Sequence, residues 1–430
     1  MGGCDDGMCA VKVLLLTQVM PFPPDSGPKA KTWNLVKWLG AGHDLTLASF
    51  SRDETARELD ALRGYCRAVH TVPMVRGALR DAWFLAASLW AGRPWTIARD
   101  ARAAMHRLVA RLARETDFDV VHIDQLNMAQ YAAPLRTFTV LDAHNALWLL
   151  YRRLARTMPP GPRRLLLERE WRRLRVYEGA AGRRADAVLA VSAADRAALA
   201  EVVGADREIT VVPISIDPDE LPPLRRRPDA NRVVSIGTMF WPPNSEGVRW
   251  FIDVVWPRIR TRRPDVELDI LGARPPRALR ELASPRSGIA VHGYVADPTP
   301  YLERAGLMVV PLLAASGVRV KILTALAQGL PVVTTTVGCE GIAVESGTHL
   351  LVADEPDAFA DAVLRVLADP LEAERLSVEG RRLVVQHYDY RHVHAPLQEI
   401  YARARHRDAT RMRPHTADSG GNDTRQSRRA

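Results

Sequence analysis

Short apolar runs recur along this chain, each followed by a polar or glycine-rich turn and then by apolar residues at helical spacing. Val11–Leu16 (VKVLLL) is the first, broken only by Lys12. Prolines at 21, 23, 24 and 28, with Gly27, keep helix or strand interior out of the next stretch. Trp33, Val36 and Leu39 then mark one face of a helix over Thr32–Leu39. Leu45–Ala48, Val120–Ile123, Phe138–Leu141 and Ala187–Val191 read as further buried strands. Helical stretches over 54–65, 79–91 and 99–115 separate them. Prolines 213, 218, 222, 223 and 228 mark a hinge. Beyond it the pattern restarts, with strands Val233–Ile236, Glu267–Leu271, Ala290–His292, Leu307–Val310 and Val332–Thr336. Helices are expected over 247–259, 359–367 and 371–387. Strands alternating with helices predict parallel sheets covered on both faces. The expected class is α/β, with two Rossmann-like doubly wound domains, 11–208 and 231–392, facing a cleft across a linker at 209–230. Residues 393–404 are expected to form a crossover helix. The ends, 1–10 and the basic tail 405–430, are expected to be disordered.

Composition narrows the class. With 47% hydrophobic and 25% charged residues, the chain has the make-up of a soluble globular protein. No apolar run nears the roughly 18 residues that span a bilayer. The first ten residues, MGGCDDGMCA, lack the basic region and apolar core of a secretory signal, and Asp6 stands where a myristoylation site needs Ser or Thr. Four scattered cysteines fit a reducing cytoplasm and give no metal spacing.

Charge is uneven. Tyr151–Arg184 holds eleven arginines against three glutamates, and the tail from His406 holds six arginines against three aspartates. Together these exceed the whole chain's +9, so the rest is close to neutral. A nucleic-acid partner would also want aromatic platforms or a reading helix, which are missing. The stripe suits the inner face of an anionic membrane or an anionic lipid-linked substrate. An ordinary solvated helix face explains it equally well.

The chemistry concentrates in Tyr301–Gly341. Strand Leu307–Val310 closes at Pro311, the loop Ala314-Ala315-Ser316-Gly317 follows, and a helix begins with Arg319 and Lys321 in its first turn. Gly329-Leu330-Pro331 stops it. Strand, glycine loop and helix N-terminus receive phosphate, because free backbone N–H groups and the positive end of the helix dipole point at the loop. Of 59 basic side chains only Lys12, Lys29, Lys31, Lys37 and Lys321 are lysine, so Lys321 stands alone after position 37. A compact ammonium serves phosphate differently from a planar guanidinium. The alternative is a surface lysine at a helix start.

Several motifs then fall in a telling order: Pro23-Pro24-Asp25-Ser26-Gly27, Leu141-Asp142-Ala143-His144-Asn145 and Ala185–Ser192 (ADAVLAVS). Ile236-Gly237-Thr238 with Trp241-Pro242-Pro243-Asn244 comes next, then Val318–Leu323 (VRVKIL) and Gly329–Val333 (GLPVV). From Val11 to about His392 the chain resembles the GT-B-fold glycosyltransferases of family 4 (group 1), in the branch associated with exopolysaccharide and lipid-linked sugar assembly. The resemblance implies a UDP- or GDP-sugar held mainly by the C-terminal domain and a glycan or lipid-linked acceptor held by the N-terminal one. It implies hexosyl transfer with retention, no cofactor and no bound metal ion. Asp117-Phe118-Asp119 and Asp217-Pro218-Asp219 fit a loose DxD pattern, but the first merely precedes a strand and the second lies in the hinge.

Under this resemblance Arg319 and Lys321 act on the leaving diphosphate. Gly27 and Gly317 let the backbone approach closely, and Gly237 joins them on the donor side. His144 matches the family's N-domain histidine near the donor sugar, with Asp142 orienting its ring; a loop histidine capping the next helix is the other reading. Glu340 is a donor-side candidate or a plain surface acid. Two departures stand out. Ser316 and Thr324 occupy the places of two glutamates that the family sets eight residues apart, the second gripping the ribose. Thr238 and Glu246 lie near the places of an arginine and a lysine. A second function follows from them: a catalytically silent homologue serving as a partner or binding subunit.

Overall fold

The computed structural model describes residues 10–411, apart from 53, 75–76, 78–83, 87, 89, 91, 227–230 and 315–317. The apolar runs form two parallel sheets. In the first, β1 (Lys12–Thr17), β2 (Asp44–Ser51), β3 (Ala68–Pro73), β4 (Val120–Asp124), β5 (Phe138–Ala143), β6 (Ala187–Ala190) and β7 (Ile209–Val211) lie in the order β3-β2-β1-β4-β5-β6-β7. The second holds β8 (Arg232–Ile236), β9 (Glu267–Leu271), β10 (Ile289–Gly293), β11 (Ala305–Val310), β12 (Val332–Thr334) and β13 (Leu351–Val352), ordered β10-β9-β8-β11-β12-β13. Each order reverses once, between β1 and β4 and between β8 and β11. At such a point the crossovers diverge and leave a crevice beyond the strands' C-terminal ends.

Both faces of each sheet are covered, so the central strands are apolar without alternation. Val13, Leu14, Leu15 and Leu16 are all fully buried, as are Leu307 and Val309. The principal helices are α1 (Gly27–Gly42), α2 (Leu147–Thr157), α3 (Pro162–Arg184), α4 (Ala193–Val203), α5 (Pro242–Trp250), α6 (Val320–Ala327) and α7 (Pro396–Arg411). Proline in the first turn of α1, α3 and α5 presets the helical φ where no N–H is needed. Gly329, at φ +70, ends α6 in a conformation that other side chains resist. Leu397, Ile400, Tyr401 and Ala404 of α7 join Val11, Val13, Leu15 and Trp33 in one core cluster, so the last helix packs on the first sheet.

Several boundaries differ from the sequence reading. Ile209–Val211 pairs with β6 as an edge strand, so the linker begins only after it. The last helix runs to Arg411, past the point where the composition turns polar, because its first half is anchored by the core. The mixed run Ala68–Pro73 forms β3, which its weak alternation does not announce. The helix expected over 79–91 falls largely outside the described residues, as do 1–9, 412–430, Ser316 and Gly317. Among the described residues no helix is long and apolar enough to cross a membrane.

Candidate functional site

A cavity of about 260 Å³ lies where the two crevices meet. Gly27, Pro28, His144, Asn145 and Arg153 line it from the first sheet's side; Trp241, Asn244, Arg319 and Lys321 line it from the second. Gly27 opens α1 and Arg319 precedes the first turn of α6, and neither helix start has a side-chain cap. Two helix N-termini with free N–H groups therefore face one space, which favours an anion there. A Cβ at Gly27 would meet Val320 at 3.4 Å, an ordinary van der Waals contact, so the starts of the two helices lie side by side here.

His144 follows β5. Its Nε2 lies 2.7 Å from Asp124 Oδ1, and Asp124 Oδ2 accepts the Thr32 hydroxyl at 3.0 Å. A carboxylate only accepts, so Nε2 carries the proton and Nδ1 is the ring's remaining acceptor. The expectation that Asp142 orients this ring is corrected: Asp124 makes the hydrogen bond. Asp142 is bound instead by the buried Lys31 ammonium, with His122 at 3.5 Å. Burial alone would raise the Asp142 carboxyl, but Lys31 and His122 outweigh it and hold the group far below the usual carboxylate range. His144 also caps no helix, since α2 begins at Leu147 with Ala146 before it.

On the opposite wall, Lys321 Nζ donates to Asn244 Oδ1 at 2.9 Å. Burial, and the charge of Arg319 beside it, pull the ammonium down to about 8. Arg319 is itself pulled down to about 10 by burial, with Glu340 opposing, and it donates to Val337 O at 3.2 Å. A Cβ on Gly237 would sit 2.7 Å from Lys321 Nζ, so a larger residue there would push the end of that side chain aside. Glu340 is taken by Arg153, whose two nitrogens reach its two oxygens at 3.1 and 3.0 Å, and it lies 4.0 Å from Arg319. Thr324 is half-buried on α6 and does not line the cavity.

Asp124, Arg153 and Asn244 carried no role in the sequence reading. Asp124 had one signal: an acid at the C-terminal end of a buried apolar strand. Arg153 hid inside the basic stripe. The loop bearing His144 is held from behind, because Glu178 accepts the N–H groups of Leu147 and Trp148 at 3.0 and 2.9 Å, and Asp195 accepts that of Ala146 at 2.9 Å. Burial pushes Glu178 up to about 7, although those two N–H groups favour its ionised form.

Among the described residues one set of acids and histidine is close enough to share a cation: Asp124, Asp142 and His144, with ligand atoms within 4.8 Å of one another. Lys31 already supplies positive charge to Asp142 there. The two DxD matches lie elsewhere, with Asp119 accepting the Lys12 N–H at 2.7 Å and Asp217 paired with Lys37 at 2.6 Å. Along the basic stripe, Trp171 and Leu174 pack on the core. The exposed apolar residues of α3 are Leu165, Leu166 and Val176, at 70, 42 and 71%.

Comparison with known proteins agrees with this geometry. A model described as Glycosyltransferase Family 4 matches residues 32–220, and one described as Glycosyl transferases group 1 matches residues 230–369. An uncharacterised 44.6 kDa protein in the cps region of Klebsiella pneumoniae is 23% identical over 172 residues, which is 38% of this chain and 44% of that one. The match therefore spans less than half of that relative's length. Sucrose-phosphate synthase from Thermosynechococcus elongatus shares the fold at TM-score 0.66 and 17% identity, over 92% of this chain and all of that one. Anabaena HepE in complex with UDP and glucose aligns at TM-score 0.63 and 16% identity, over 91% of this chain and 99% of that one. TarM aligns at TM-score 0.66 and 10% identity, over 91% and 98%. One model on each half, two parallel sheets and a shared fold give one conclusion: the chain belongs to the group 1, family 4 glycosyltransferases, with the GT-B fold.

Proposed function

We propose that this chain moves a hexose from a UDP- or GDP-sugar to a glycan or lipid-linked acceptor, with retention of configuration and without a metal ion or other cofactor. One observation carries the reading: two uncapped helix N-termini, Arg319 and Lys321 share a cavity with the His144–Asp124 pair. In this reading the donor diphosphate lies against the start of α6. As the bond from the anomeric carbon to the phosphate oxygen breaks, charge grows on the diphosphate, and fixed cations and N–H groups aimed at it lower the barrier. His144, held through Nε2 by Asp124, offers Nδ1 to a donor-sugar hydroxyl. HepE, crystallised with UDP-glucose, supports a nucleotide-sugar donor, and the cps-region relative supports a polysaccharide acceptor.

The proposed setting is the cytoplasm, at the inner face of an anionic membrane. Along α3, exposed Leu165 and Leu166 precede and Val176 follows exposed Arg169, Arg172 and Arg175, and each cation near such a surface is worth about 1 kcal/mol. Arg183 is bound to Val202 O and Arg173 to Ser88, so part of the stripe's charge is structural. Thermal-shift titration with UDP- and GDP-sugars, followed by assay of donor consumption, tests the function. Stabilisation by one nucleotide class with turnover is the expected result. Failure of every donor to bind favours the silent partner subunit.

A further inference from the structure

Asn244 sits in the first turn of α5, and its two amide atoms have opposite tasks. Nδ2 donates to Thr238 O at 3.0 Å, just beyond β8, while Oδ1 accepts from Lys321 Nζ at 2.9 Å. Those partners permit one orientation only, since a carbonyl cannot donate and an ammonium cannot accept. The helix carrying the amide is firmly seated. A Cβ on Gly247 of the same helix would lie 2.2 Å from Pro311 O, so α5 rests directly on the loop that leaves β11. Asn244 thus ties the exit of β8 to the start of α6.

The charge inventory around Lys321 gives this contact a purpose. Arg319 stands beside it, and the cavity also holds His144 and Arg153, the latter matched by Glu340. No carboxylate forms an ion pair with Lys321 among the described residues. We infer that Asn244 is a positioning residue for the transfer proposed above: it aims the Lys321 ammonium at the donor diphosphate while leaving its charge uncompensated. A carboxylate in its place would hold the ammonium more tightly, but would neutralise it and repel the incoming diphosphate. An apolar residue would leave the long lysine side chain unaimed and its charged form less favoured.

The test reads Lys321 itself, in the free full-length protein. Its reactivity toward an amine-labelling reagent is followed against pH by mass spectrometry, in wild type, Asn244→Asp and Asn244→Ala. Asn244→Asp is expected to move the Lys321 titration up by about one unit or more, and Asn244→Ala to move it down. With UDP as the probe, Asn244→Asp is expected to weaken binding about tenfold, while Asn244→Ala chiefly lowers the turnover number. A merely structural asparagine would lower the melting temperature in both variants and leave the titration in place. Coincident titrations in all three proteins overturn the inference. Should wild type bind no nucleotide sugar, the proposed function fails, while the titration still decides whether Asn244 governs Lys321.

Discussion

Replacing Lys321 by alanine separates chemistry from folding in one variant. Among the described residues the ammonium's hydrogen bond is to the neutral Asn244 amide at 2.9 Å. Losing such a bond costs about 1 kcal/mol. Removing a like charge beside Arg319 acts in the opposite direction. The melting temperature should therefore move by no more than a few degrees. Transfer should suffer far more. A cation fixed against developing diphosphate charge is worth about 10²–10³ in rate, which is roughly 3–4 kcal/mol. The pH profile adds a second signature. Burial and Arg319 bring the wild-type ammonium to about 8, so it loses its proton, and the donor its partner, as pH rises through that value. Wild-type kcat/KM should fall above it, and the alanine variant should lack that limb. The assay is steady-state donor consumption from about pH 6 to about pH 9.5, with a thermal melt at each point. An alanine variant keeping more than half of wild-type turnover would remove Lys321 from the mechanism.

Asp124→Asn should lower turnover about a hundredfold or more, with little change in melting, because the ring loses the acceptor that selects its tautomer; unaltered kinetics would leave His144 unoriented by Asp124. Asp142→Asn should instead destabilise the fold by about 3–5 kcal/mol in urea titration, since it strands a buried ammonium; wild-type stability would refute that pairing. Thr324→Glu, three residues beyond Lys321 and so on the same helical face, should tighten UDP-sugar binding by about 1 kcal/mol in calorimetry, and unchanged affinity would show the ribose is held elsewhere. Glu178 has a folded pKa raised from 4.5 to about 7. Its stabilising contribution is complete below pH 4.5 and is lost as pH rises through about 7, so wild type should lose stability relative to Glu178→Gln between those values; parallel melting curves would refute the burial argument. On liposomes of graded anionic content, co-sedimentation should rise with anionic lipid and fall with salt, whereas binding that ignores both leaves α3 an ordinary surface.

Burial on both faces made the central strands legible, because helices on either side demand continuous apolar runs such as Val13–Leu16 and Leu307–Val310. The isolated lysine in the first turn of α6 was an equally local signal. Edge elements were not. Ile209–Val211 is three residues long and runs straight toward Pro213, and what makes it a strand is β6 beside it. The partner of His144 shows the same limit. Alternation along an extended chain places Asp142 and His144 on one side, but β5 ends at Ala143, so the alternation stops one residue too soon. The ring then turns to Asp124, which is paired in register with Asp142 on the neighbouring strand. Asp142, left on the strand, goes to Lys31 of α1. Composition and periodicity therefore determined the buried strands and the helix start that carries Arg319 and Lys321, because both signals lie within a few neighbouring residues, whereas strand pairing joins distant ones, as Val13 with Val120. The histidine's partner, the capture of Glu340 by Arg153 and the tethering of Lys321 by Asn244 join residues 20, 187 and 77 positions apart. Only chain crossovers set such distances, so the tertiary structure alone decided them.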